Sequence, residues 1–270
     1  MQTTNGVFLN QDIRIYREPI VYLVGRQTLA QEELDRFLAD HNVQTWTTDT
    51  EVAGERLLET AGRVCYMSFA RPRPGGNAAY IQHLLEVGHG SVLEHAAWNF
   101  IFAGVSRSLT HELVRHRAGF GFSQLSQRYV DESVAEYVEP DVIAEDAELH
   151  QLWLMTIART HEAYVQLAEK LQEKFAEEPD RTLRRKLARQ AARSVLPNAT
   201  ETKIFVTANA RALRHFIEMR ASRHAEVEIR KLAVQVLRIM QKEAPHIFGD
   251  YQFVPLPDGT HEATTPHRKV

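Results

Sequence analysis

Between residues 115 and 129 the chain reads Arg115-His116-Arg117, then an eight-residue spacer, then Ser126-Gln127-Arg128-Tyr129. Three adjacent cationic or titratable groups end a predicted helix there. The helix dipole rewards such groups by roughly 0.3–1 kcal/mol each. That accounts for one or two of them and leaves Glu112 and His116 unexplained. At about 100° per residue both share the apolar stripe of Val105, Leu109 and Leu113. Ionisable groups on a core-facing stripe need partners. A ligand site and an internal ion-pair network account for the spacing equally well.

A second cluster runs from Asn209 through Arg211, Arg214, His215 and Glu218 to Arg220. Leu213, Phe216 and Ile217 mark its buried stripe, and Arg220 continues that stripe with a permanent charge and five donors. A surface pair, Arg211–Glu218 or Arg214–Glu218, accounts for Arg214 and leaves Arg220 unexplained. The segment 181–193 carries Arg181, Arg184, Arg185, Lys186, Arg189 and Arg193, and reads mostly as a solvated face. Without interleaved aromatics it is a poor single-strand platform, although nucleic-acid binding stays open as the alternative function.

Other chemistries fail on spacing or composition. His111 and His116 are five apart, which turns the two imidazoles away from a shared metal, so no metal site is expected. Ser126 lacks an evident activating base, and the single cysteine, Cys65, reads as a small core residue. Gly119-Phe-Gly121 follows a helix and lacks the third glycine of a dinucleotide loop. The 270 residues are 44% hydrophobic and 25% charged with a net charge of −3, which excludes fibrous and disordered classes and a general nucleic-acid coat. No signal-like or bilayer-length apolar run is seen, so a cytoplasmic protein is expected, with no membrane partner.

The elements that must position these groups follow from periodicity. Strands are predicted at 19–29, 96–103 and 202–207. Helices are predicted at 30–41, 51–62, 77–88, 105–116, 145–175, 181–194, 209–221 and 225–243. A glycine-containing loop at 118–125 and a short extended piece at 126–130 join them. Tyr164, Leu167, Leu171 and Phe175 form the predicted inner stripe of the longest helix. Asn209 is placed to cap the helix after it, and the tail from 255 reads as loose. Without regular βαβ alternation the class is α+β, mixed helices packed on an antiparallel-type sheet, in a single domain over 1–270.

The Arg115-His116-Arg117…Ser126-x-Arg128-Tyr129 segment resembles the signature of the flavin-dependent thymidylate synthases. Gly88-His89-Gly90-Ser91-Val92-Leu93-Glu94-His95 resembles their upstream element. Ala192-Arg193-Ser-Val-Leu-Pro197 and Asn209-Ala-Arg211…His215…Arg220…His224…Ile229 resemble two later ones, in the same order. The similarity spans roughly 55–250.

The resemblance implies a homotetramer with FAD and dUMP held at subunit interfaces. It further implies reductive methylation of dUMP to dTMP with methylenetetrahydrofolate as one-carbon donor and NADPH as reductant. By the same resemblance His89, Ser91, Glu94, Arg115, His116, Arg117, Gln124, Asn209, Arg211 and His215 would hold FAD. Glu112, Arg115, Gln124, Leu125, Ser126, Gln127, Arg128, Arg193 and Arg220 would hold dUMP, with Arg220 as the catalytic group that favours the ionised pyrimidine.

Overall fold

A computed structural model of the protein describes residues 13–43, 46–71, 73–134 and 136–268. In chain order the elements are β1 (Arg14–Tyr16), β2 (Ile20–Arg26), α1 (Gln31–Asp40), α2 (Ala53–Val64), α3 (Gly76–Glu86), β3 (Ala97–Ser106), α4 (Arg107–Leu113) and β4 (Phe120–Gln124). There follow β5 (Glu136–Val138), α5 (Asp141–Ala144), α6 (Ala147–Lys174), α7 (Arg181–Ala192), β6 (Glu201–Asn209), α8 (Ala210–Arg220), α9 (Val227–Glu243), α10 (Pro245–Phe248), β7 (Gln252–Pro255) and β8 (His261–Thr264). Helices and strands mix without βαβ alternation, as the α+β expectation has it. One four-stranded sheet has the order β2-β3-β6-β4; β1 pairs with β5 in parallel, and β7 pairs with β8 antiparallel. No described helix is long and apolar enough to cross a membrane.

Contacts group the chain into two compact units. Of the described residues, unit 1 takes those within 13–20, 102–113 and 123–204, and unit 2 takes those within 21–101, 114–122 and 205–268. In unit 1, α6 buries Ile157, Ala158, His161 and Tyr164, while Leu167 is exposed, so the inner stripe begins about two turns earlier than predicted. His161 interrupts the apolar pattern but is satisfied: Tyr137 Oη lies 2.9 Å from its Nδ1 and the Ser133 carbonyl 3.0 Å from its Nε2. Asp146 and Asp180 cap α6 and α7 through side-chain oxygens.

In unit 2, Leu34, Leu38, Trp46 and Phe69 form one apolar cluster, and Trp98 packs edge-on against Phe248. Ile229, Leu232 and Val236 turn inward from α9, as their 3.6-residue spacing requires.

Four expectations are corrected. Phe120–Gln124 is a strand, not part of a loop: Phe120 and Phe122 stack at 5.4 Å, two residues apart on one face. Residues 126–130 form turns closed by Tyr129 and Val130 N–H groups donating to the Ser126 carbonyl. Cys65 is exposed just past the end of α2, outside the core. The tail beyond 255 is ordered: β7 and β8 form a hairpin whose Gly259, at φ 76°, supplies the left-handed residue of the turn.

Candidate active site

The expected flavin residues all belong to unit 2 except Gln124, and the expected dUMP residues all belong to unit 1 except Arg115 and Arg220.

In unit 2 a Schellman turn ends α3. Gly88 at φ 71° lets its own N–H reach the Leu85 carbonyl at 3.3 Å, and the His89 N–H reach the Leu84 carbonyl at 2.9 Å. The chain then leaves with His89, Ser91 and Glu94 exposed. Glu94 accepts from Arg211 Nη1 at 2.6 Å, an exposed pair worth little to stability. Gly90 is buried close under that arginine, and a Cβ there would lie 3.0 Å from Arg211 Nε. Asn209 caps α8 as predicted, its Oδ1 accepting from the Ala212 N–H at 2.9 Å.

α4 ends at Leu113, and Val105 belongs to β3, so the helical stripe that was to carry His116 stops short of it. His116 is nonetheless drawn inward, by packing against α8. Its ring lies 5.3 Å from Phe216, 6.0 Å from His215 and 5.9 Å from Phe120. Arg220 Nε donates to His116 Nε2 at 2.9 Å. Burial first, then the charge of Arg220 and the neighbouring His215, push the imidazole down to about 4. His116 is therefore neutral at pH 7, with its proton on Nδ1, as an acceptor at Nε2 requires. Arg115 and Arg117 are exposed, and neither guanidinium has an ion pair or side-chain hydrogen bond among the described residues.

Arg214 is a correction. It is fully buried, not a surface partner of Glu218. Its fork meets both Asp250 oxygens at 2.6 and 2.7 Å, and its Nη1 also donates to the Ile247 carbonyl. Glu218 pairs with Arg268 at 3.4 Å.

In unit 1, Gln124 Nε2 donates to the hydroxyls of Thr110 and Thr202 at 3.1 and 3.3 Å. The Leu125 N–H donates to the Lys203 carbonyl at 2.9 Å, which leads the chain off β4 into the Ser126 turn. Glu112 and Arg193 are half-buried, and Gln127 is buried. Here donors lack acceptors: Gln127 Nε2, Arg128 Nε and Arg107 Nη1 are buried with no hydrogen-bond partner among the described residues. Arg107 is a residue the sequence reading missed. Burial pulls its guanidinium below the ordinary value against the attraction of Glu132, and nearby Arg193 adds to the pull. An arginine at a junction between the apolar β3 and α4 was the signal available. Most of the α7 cations are already engaged: Arg189 binds the Tyr129 carbonyl and Asp131, Lys186 lies 5.1 Å over the Tyr129 ring, and Arg184 reaches the Ala176 carbonyl.

A buried donor without an acceptor carries an uncompensated desolvation cost, and Arg107 bears it with the Arg193 charge nearby. The fold is that of an α+β protein, and both of its compact units carry arginine side chains among the expected site residues. The family model described as thymidylate synthase complementing protein matches residues 48–246. The flavin-dependent thymidylate synthase of Mycobacterium avium is 52% identical over 85% of this chain and 92% of its own. That of Mycolicibacterium gilvum is 51% identical over 89% and 94%. The chain belongs to the flavin-dependent thymidylate synthases. Among solved structures, the UMP/dUMP methylase PolB of Streptomyces cacaoi, bound with 5-Br UMP, superposes with a TM-score of 0.62 at 22% identity. It covers 88% of this chain and 95% of the methylase, a likeness of fold.

Proposed function

We propose that the enzyme methylates dUMP to dTMP with methylenetetrahydrofolate as one-carbon donor and NADPH as reductant, with FAD as its flavin, in a cytoplasmic homotetramer. The observation that carries the substrate half is that Arg107, Gln127 and Arg128, all in unit 1, each hold a buried donor with no hydrogen-bond partner among the described residues. A phosphate dianion brings three acceptor oxygens to such a set, and Ser126 and Arg193 stand in the same unit to complete its shell. Glu112, Gln124 and Leu125 line the same substrate site.

The cofactor half rests on unit 2. Arg115 and Arg117, uncommitted among the described residues, are cations suited to a pyrophosphate, and the close approach over Gly90 brings Arg211 near the backbone. His89, Ser91, Glu94, Asn209 and His215 supply further polar groups, and Gln124 serves both ligands. When bound, FAD supplies the redox chemistry, and the protein has only to position and polarise. Arg220 brings a guanidinium with five donors, and its Nε is spent on His116. Its part is electrostatic: stabilising negative charge on the pyrimidine, an effect of about 3–4 kcal/mol for one well-placed donor. Neutral His116 fixes the direction of that guanidinium without adding a second charge.

The test is a visible spectrum of the purified protein, bleached anaerobically with NADPH and followed by assay of dTMP from dUMP and methylenetetrahydrofolate. Yellow protein that bleaches and forms dTMP is expected. Protein that takes up no FAD, or turns over only without a reduced nicotinamide, overturns the reading.

A further inference from the structure

The C-terminal hairpin grips the end of α8 from two sides. α8 stops at Arg220 with no glycine cap, so its exit must be held from outside. β8 supplies the hold: the Ala263 N–H donates to the Ala221 carbonyl at 2.8 Å. Two residues further on, Glu262 accepts the Arg223 N–H at 3.2 Å and the Arg223 guanidinium through both carboxylate oxygens. The Arg223 carbonyl accepts from Arg230 Nη1 at 3.1 Å, and the other arm of Arg230 binds Asp258 in the hairpin turn. Asp258 is itself fixed by the Thr260 hydroxyl at 2.6 Å. Residue 223 is thus tied at its N–H, its carbonyl and its side chain. On the other side of Arg220, Arg214 is tied to Asp250, which also accepts from the Thr265 hydroxyl just past β8.

We infer that this hairpin, through Glu262 and the Ala263–Ala221 hydrogen bond, is a positioning device for Arg220. The clamp sets the height and rotation of the last turn of α8, and so the place of a guanidinium whose Nε must meet His116. Glu262 is 8% exposed, and so protected from competing water, whereas the Arg223 side chain is largely exposed. A charge-assisted fork of this kind is directional, which suits placing a helix end more than adding bulk stability. The inference rests on the reading of Arg220 as the pyrimidine contact.

The experiment compares Glu262→Ala, Glu262→Gln, Arg223→Ala and Arg220→Lys in the FAD-loaded enzyme. For Glu262→Ala the expected result is a fall in kcat/KM for dUMP of about tenfold or more, with FAD affinity within twofold of the parent. Glu262→Gln, which keeps an acceptor for the Arg223 N–H, should recover most of that loss, and Arg223→Ala should follow Glu262→Ala at smaller size. Should Glu262→Ala fail to fold, Arg223→Ala and Glu262→Gln give the same comparison. The inference is overturned if these variants leave kcat/KM for dUMP unchanged while Arg220→Lys lowers it, or if FAD affinity falls in parallel. If Arg220→Lys also leaves it unchanged, the role assigned to Arg220 is what fails.

Discussion

His116 Nε2 accepts a hydrogen bond from Arg220 Nε at 2.9 Å, so a fixed positive charge and an imidazole that would otherwise titrate near neutrality are locked together. The arginine cannot give up its proton, and the histidine must therefore stay unprotonated for the contact to exist.

That contact sets a pH dependence. In the unfolded chain His116 takes up a proton near 6.5, whereas folding depresses it to about 4. Between those values the unfolded state binds more protons, so stability rises with pH. The contribution is complete above about 6.5 and is lost as the pH falls towards 4, on the order of 2–3 kcal/mol. Urea unfolding of parent and His116→Gln at pH 7 and pH 5 should show a smaller acid loss in the variant; parallel losses refute it.

Glu132 works in the opposite sense. Burial raises its carboxyl to about 7, with Arg107 opposing and Glu201 adding to the rise. The folded state holds that proton through a window where the unfolded carboxylate has lost it, so stability falls as pH rises from about 4.5 to 7. Glu132→Gln should remove this fall and be the more stable protein at pH 8. A variant that is less stable at pH 8 than at pH 5 contradicts it.

Arg107→Ala separates binding from stability. Deleting one charged donor to phosphate costs about 1.5–3 kcal/mol, so KM for dUMP should rise roughly tenfold to a hundredfold. The thermal midpoint at pH 6 should hold, because the removed guanidinium has a buried Nη1 with no acceptor among the described residues. A fallen midpoint with normal KM would make Arg107 structural.

Arg214 gives the largest stability effect. Arg214→Met strands the Asp250 carboxylate in the core and should cost about 3–5 kcal/mol. Pairing it with Asp250→Leu should restore much of that loss, since a buried ion pair replaced by apolar groups is often neutral. Equal losses in the single and double variants, read from denaturant midpoints, would show that the pair is not the source.

Gly119 sits at φ 73°, and a Cβ there would lie 2.7 Å from Asn209 Nδ2 and 2.8 Å from the Ala212 Cβ. Gly119→Ala should therefore disturb the cap of α8 and lower FAD affinity more than it lowers dUMP affinity. Unchanged flavin titration would remove this turn from the cofactor side.

Local pattern was enough for several helices, though not for α4: α1, α6, α7 and α9 begin and end within about two residues of their apolar periods, and Asn209 caps α8 as its side chain and position require. Those signals arise between residues up to four apart, where covalent geometry alone sets who meets whom. Arg214 and Arg220 stand on the same helix and look alike in one dimension. One is buried because Asp250 lies 36 residues downstream, the other held because His116 lies 104 residues upstream. The strand at Phe120–Gln124, the ordered hairpin past Pro255 and the unmatched donor on Arg107 share that origin. Each depends on partners that long-range packing selects, and helical or strand periodicity carries no term for a neighbour so distant in the chain.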